Sequence, residues 1–210
     1  MHHAHLSSHL STVRTALLGC GLVASLALPS ALSAISLPHT FVNGTVADAD
    51  AVNANFTALA DAIATSRRIT FVKAYYNGQG QAGSPGLWST RVLNTLEGDH
   101  AEMGITLSAG AFTLPPGRYL VEWHDSAHRP QDYQTRLFNV TDGTVHAVGP
   151  SVHGTATFAS TPVSSGMTVV DVSTATTFRI EQWRQSGANQ DDRANSGGID
   201  LYSQVKIQAL

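Results

Sequence analysis

Val52, Phe56, Leu59 and Ile63 step by four, three and four residues along "AVNANFTALADAI", with Ala, Asn and Asp filling the positions between. That spacing stacks the four side chains into one narrow apolar stripe and predicts a helix. Ala49 extends the stripe toward the N-terminus. Thr45 with Asp48 resembles a capping box, or Asp48 is itself the N-cap, and an acidic first turn suits the helix dipole either way. The helix should end between Thr65 and Arg68. A stripe this narrow covers too little surface to anchor a helix to a globular core, so its partner is the first question the chain raises.

From Ile69 onward the period changes from helical to alternating. "RITFVKAYY" reads as a strand, "NGQGQAGSPG" as a loop of turn formers and "LWSTRVLNT" as a second strand. "GITLSAGAFTLPPGRYLVEWHDSAH" predicts two more around the tight turn "LPPG". "YQTRLFNVTDGTVHAVGP" is a hairpin turning at Asp142-Gly143. "GMTVVDVSTATTFRIEQWRQS" holds two strands, and after the polar loop "SGANQDDRANSGG" the chain finishes on "IDLYSQVKIQAL". Tyr119, Val121 and Trp123 share one strand face. In the last strand Ile199, Leu201, Val205 and Ile207 should face inward, opposite Asp200, Gln204, Lys206 and Gln208. Eight or so short strands, each burying one side and without internal repeats, predict an all-β antiparallel sandwich or jelly roll over 69–210.

Composition adds an address. In 210 residues, 42% are hydrophobic and only 13% charged, with 18 Gly and 8 Pro, a balance that suits an extracellular β-protein. Residues 1–34 read as a secretory signal: Arg14 precedes the apolar run "TALLGCGLVASLALP", and the small-residue stretch "SALSA" follows, with cleavage expected near Ser33 or Ala34. Lipidation at Cys20 is the alternative, although the apolar stretch between Arg14 and Cys20 is short for it. Cleavage removes the single cysteine, so no disulfide is expected in the exported chain. Residues 35–68 then form an extended segment and the helix. The net charge is −3 and the only basic pair after the leader is Arg67-Arg68, which disfavours nucleic acid as a partner.

Taken together and in order, "LWSTRVLNT", "LPPGRY", "TRLFNVTDG", "TTFRIEQW" and "GGIDLYSQVKI" resemble the C1q/TNF-like jelly-roll domain found at bacteriophage tail-fibre tips and in related bacterial secreted proteins. The likeness covers roughly Ile69 to Leu210. The segment "HDSAHRPQDY" after "GRYLVEW" departs from the aromatic-and-basic stretch usual in tail-fibre relatives, and a Cys common near "TFRIEQWR" is absent. Domains of this kind assemble as trimers, and the resemblance implies the same here. Two further copies of the helix would then bury the seam of Ala49, Val52, Phe56, Leu59 and Ile63. The competing expectation is that the helix folds back on its own sandwich.

The resemblance implies a secreted, non-enzymatic binding protein that recognises a surface glycan or protein. The rival is a structural trimerisation cap of a surface fibre or matrix component. Contact loops are expected at Asn77–Gly86, His124–Tyr133 and Gly187–Gly197, because loops on a rigid scaffold carry binding residues. Candidate ligand contacts are Tyr75, Tyr76 and Trp183, which flank those loops, with Asp132 and Asp191 within them.

His124 and His128 are the metal candidates considered. Four apart on a continuous strand they would lie about 13 Å apart, too far to share an ion. "EGDHAE" and Asp191-Asp192-Arg193 read as solvated loops and lack EF-hand spacing. No nucleophile elbow, P-loop, dinucleotide fingerprint or zincin motif occurs, so no catalytic residue, cofactor or metal is assigned. A polysaccharide-degrading site would need paired carboxylates flanking a groove. Asn139 heads a formal glycosylation sequon but sits where a hairpin turn is expected.

Overall fold

The computed structural model describes residues 35–77, 84–155, 160–186 and 199–210. One helix, α1 (Ala49–Ser66), precedes twelve strands: β1 (Ile69–Asn77), β2 (Ser89–Thr90), β3 (Thr95–Gly98), β4 (Thr106–Ser108), β5 (Ala111–Leu114), β6 (Gly117–Ser126), β7 (Asp132–Asn139), β8 (Thr144–Val148), β9 (Val152–His153), β10 (Val163–Val172), β11 (Thr176–Arg184) and β12 (Ile199–Ala209). The antiparallel pairs β1–β12, β5–β11, β6–β10 and β7–β8 are nested one inside the next. Nested pairing is the signature of a long hairpin rolled into two facing sheets, a jelly roll. The first sheet runs β10-β6-β12-β1-β3 and the second β4-β5-β11-β7-β8, with β2 joined to β11 and β9 to β7. The all-β antiparallel jelly-roll sandwich expected from the sequence is therefore the fold observed.

Alternation along each strand builds the core between the sheets. From the first sheet come Val72, Val121, Trp123, Val205 and Ile207, and from the second Phe112, Leu114, Leu137, Phe178 and Ile180, all buried. Trp123 donates from its indole Nε1 to Thr135 Oγ1 at 2.9 Å. Ser164 Oγ gives its single proton to the carbonyl of Pro150 at 3.0 Å, so across the 2.8 Å contact between the two hydroxyls Thr135 is the donor and Ser164 the acceptor. One directional chain of hydrogen bonds thus crosses from β6 to β7 and back to β10, with every buried donor in it satisfied.

Two turns explain short motifs. Ala109 and Gly110 both have positive φ, 50° and 79°, as a two-residue hairpin between β4 and β5 requires. In "LPPGRY" the Tyr119 hydroxyl donates to the Pro115 carbonyl at 3.1 Å, and the ring lies over Gly117 where a Cβ would sit 2.8 Å from the phenolic oxygen.

Two expectations are corrected. "LWSTRVLNT" is not one strand: β2 pairs with β11 in the second sheet, while β3 pairs with β1 in the first. The chain between them crosses the sandwich, burying Arg91 and Leu93 on the way. In the last strand Leu201 is exposed rather than inward. Ala74 pairs with Ser203 but Tyr75 pairs with Leu201, so Tyr202 is an extra residue in β12. That bulge shifts the alternation by one position. Tyr202 turns inward against Tyr76, with ring centroids 5.9 Å apart, and its carbonyl accepts from Ser126 Oγ at 3.1 Å.

Candidate functional site

Helix α1 begins where Asp48 accepts hydrogen bonds from the backbone N–H groups of Asp50 (2.7 Å) and Ala51 (3.2 Å), and it closes on Arg67. The extended segment before it folds back along the helix. The Asn55 amide grips it at His39, accepting from the backbone N–H at 2.9 Å and donating to the carbonyl at 2.8 Å. No residue of α1 is buried. Along the seam Ala49 is exposed and Val52 half-buried, while Phe56, Leu59 and Ile63 are 66%, 39% and 48% exposed. Leu37 and Phe41 in the preceding segment are half exposed as well. A single chain therefore leaves most of the seam, Phe56, Leu59 and Ile63 above all, exposed.

A second cluster occupies the outer face of the second sheet. Gln134, Arg136 and Phe138 point outward from β7, opposite Trp183, Glu181 and Arg179 of β11. Glu181 is only 3% exposed although it faces outward. Its Oε2 accepts from Arg136 Nε at 2.6 Å and lies 2.5 Å from Arg136 Nη2, and its Oε1 accepts from Arg179 Nε at 2.8 Å and Nη2 at 2.5 Å. Two planar guanidinium forks on one carboxylate hold all three side chains flat against the sheet. The Arg136 guanidinium lies 4.0 Å from the Trp88 ring, and that of Arg179 lies 4.9 Å from the Phe138 ring. Because β11 separates β2 from β7, Trp88 must reach across β11 to meet Arg136, which roofs Glu181 and explains its burial.

The structure brings together two of the ligand candidates and separates the others. Trp183 and Asp132 share this outer face, where Asp132 contacts His153 Nδ1 at 2.7 Å. Tyr75 lies on the opposite face of the sandwich, beside Lys73. Lys73 Nζ donates to Tyr75 Oη at 3.0 Å and to Glu97 at 2.5 Å. The Glu97 hydrogen bond, followed by that to Tyr75, raises the Lys73 pKa, and the same bond from Lys73 lowers that of Glu97. Tyr76, half-buried, packs against Tyr202 with ring centroids 5.9 Å apart and donates to the Val92 carbonyl at 2.8 Å. Asp191, with the whole Gly187–Gly197 loop, lies outside the described residues.

His124 is exposed next to Glu122 at 3.4 Å, and His128 lies beyond the end of β6. Asn139, at the sequon, uses its side chain within the turn, donating to Asp142 Oδ2 at 2.8 Å and accepting from the Asp142 N–H at 3.0 Å. A polar depression of about 280 Å³ beside that turn contains Asp142 and Asp171. Asp142 is engaged by Asn139, and Asp171 stands 3.4 Å from Arg118.

Sequence reasoning missed a polar cluster inside the sandwich. Arg91, Asp125, Tyr133 and Gln182 are all fully buried. Arg91 Nε lies 2.9 Å from Asp125 Oδ1, and its Nη2 donates to the Ser126 carbonyl at 2.8 Å and to Gln182 Oε1 at 3.0 Å. Tyr133 donates to Asp125 Oδ2 at 2.7 Å. Burial, then the charge of Asp125, pushes the Tyr133 phenol well above its ordinary pKa, so it stays a neutral donor. The cluster ties β6 of one sheet to β7 and β11 of the other through the crossing segment that carries Arg91.

No protein-family model matches the chain, and no curated protein does. Solved structures do. The chain is similar to the globular domain of zebrafish complement 1qA protein, with 18% identity and a TM-score of 0.46 over 69% of this chain and 98% of that one. It is similar to Eiger TNF from S. frugiperda, with 10% identity and a TM-score of 0.46 over 69% and 92%. It is also similar to murine APRIL, with 10% identity and a TM-score of 0.43 over 68% and 98%. These neighbours are C1q and TNF-family jelly-roll domains, and at such identities the likeness concerns the fold alone. Among the described residues no helix is long and apolar enough to cross a membrane.

Proposed function

We propose that the chain is an exported, non-enzymatic binding module that works as a homotrimer, with α1 as the trimerising element and the jelly roll as the recognition head. One observation carries this reading: Phe56, Leu59 and Ile63 stand exposed in a row on a helix none of whose residues is buried. Exposed apolar rows at heptad-like spacing are covered by copies of themselves. The 18-residue helix is marginal alone, so association and helix formation support each other. Val145 and Val148 on β8, the edge strand of the second sheet, and Val163 and Met167 on β10, the edge strand of the first, are exposed apolar side chains as well. A ring sets exposed edge strands against a different surface of the next copy, which suits a cyclic assembly. The head then presents a surface glycan or protein with a rigid face.

The test is the mass of the exported, processed protein by light scattering, followed by binding of that species to glycan arrays. A mass of three chains with binding is expected. A stable single chain overturns the assembly, and silence across glycans and surface proteins overturns recognition.

A further inference from the structure

The outer face of the second sheet is more than a stabilising ladder. We propose that it is the recognition site of the head and that its ligand is an acidic glycan, a sugar chain carrying carboxylates. This deepens the binding-module reading and rests on it. It moves the site from the loops to the sheet face.

Three features define the ligand. First, the two guanidinium groups of Arg136 and Arg179 face the single carboxylate of Glu181, a local excess of positive charge in a chain whose net charge is −3, while Asp132, farther along the same face, is engaged by His153. Second, Arg136 and Arg179 each spend Nε and Nη2 on Glu181. Among the described residues the remaining Nη1 of each makes no hydrogen bond, so a pair of N–H donors from each fork is left for an incoming anion. Third, indole rings accompany these donors: Trp88, immediately before β2, lies 4.0 Å from the Arg136 guanidinium, and Trp183 lies two positions beyond Glu181 on the same face of β11. Both rings are half-buried, held at the sheet yet open to solvent. Flat aromatic surface suits the apolar face of a pyranose, and paired guanidinium donors suit a carboxylate. Neutral sugars would use the rings and leave the cationic donors unmatched. Because Glu181 already orients both arginines, binding needs little reordering of side chains.

The assembled, full exported chain can be titrated with short alginate oligosaccharides, with dextran oligosaccharides as the neutral control, following tryptophan emission. Trp123 is fully buried, so the change reports on Trp88 and Trp183. Alginate should shift the emission in a salt-weakened manner, and dextran should not. Arg179→Gln, at a side chain 32% exposed, should weaken binding by about tenfold, the scale of one charged hydrogen bond. Trp183→Ala should abolish it. Circular dichroism and mass are read on both variants, and if Trp183→Ala is unfolded the Arg179→Gln result decides.

No binding of alginate by folded, assembled protein overturns the proposal, as does equal binding of dextran. Alginate binding unchanged in both variants overturns the site while leaving the binding-module reading standing. Capture of a protein, lost in Trp183→Ala and indifferent to alginate, overturns the glycan assignment.

Discussion

Trp123 and Gly166 are register partners across β6 and β10, and the indole fills the space that a side chain at position 166 would need. A Cβ built on Gly166 would overlap the ring itself, not a flexible end that could swing aside. The indole nitrogen on that same edge is held by the hydrogen bond to Thr135. Gly166→Ala should therefore destabilise the head by about 1–3 kcal/mol, the usual cost of overpacking a filled core. A lower urea midpoint with an unchanged slope is the expected observation. Trp123→Phe in the same background should cost less than the sum of the two single changes, because the smaller ring vacates the contested space. Strict additivity would show that the two sites do not meet.

The buried cluster predicts a different hierarchy. Asp125→Asn keeps the shape but strips the charge that Arg91 faces, leaving a guanidinium buried without its counter-ion. A loss of about 3–5 kcal/mol is expected. Tyr133→Phe removes one donor to Asp125 while Arg91 remains, so about 1–3 kcal/mol is expected. Chemical denaturation of both variants checks the order. If Tyr133→Phe proves the more damaging, the Arg91–Asp125 pair is not what joins the sheets at this end.

The same tyrosine gives a pH dependence with a definite sign. Its phenol is held above the ordinary value of about 10 in the folded chain, whereas unfolding returns it to that value. Its contribution is fully present below about pH 10 and is lost as pH rises, because the unfolded state then releases the proton first. Stability should fall more steeply on the alkaline side in wild type than in Tyr133→Phe. The tyrosinate absorbance of Tyr133 should appear only together with unfolding. Early ionisation at constant fold would place water beside the ring.

Much of this arrangement was legible before any coordinates, and the failures have physical causes. The helix, its Asp48 cap and the β7–β8 turn follow from local chemistry, and they appear where the spacing put them. Leu201 came out on the wrong face because the bulge at Tyr202 is a pairing event between β12 and β1, with no mark in the residues of β12 alone. Arg91 and Asp125 were overlooked although half the signal was present: Tyr119, Val121 and Trp123 alternate inward, and one more step lands on Asp125. His124, the residue between, points outward in that same alternation. The Trp88–Arg136–Glu181 stack was beyond reach, since it depends on β2 and β7 flanking β11, a matter of topology rather than of spacing.

The seam of α1 supports the sharpest separation of assembly from folding. Phe56 and Leu59 touch water in the single chain, so replacing either with a charge removes nothing from the head. In a trimer the same charge would be buried three times at close range, against apolar side chains that each contribute about 1.5–3 kcal/mol on burial. Leu59→Asp should therefore reduce the particle from three chains to one at micromolar concentration, while the emission of buried Trp123 and the β-sheet circular dichroism stay as in wild type. Loss of head structure along with the mass would mean that the sandwich, too, depends on its neighbours. An unchanged mass would mean that the head, through surfaces such as its exposed edge strands β8 and β10, holds the copies together without the helix.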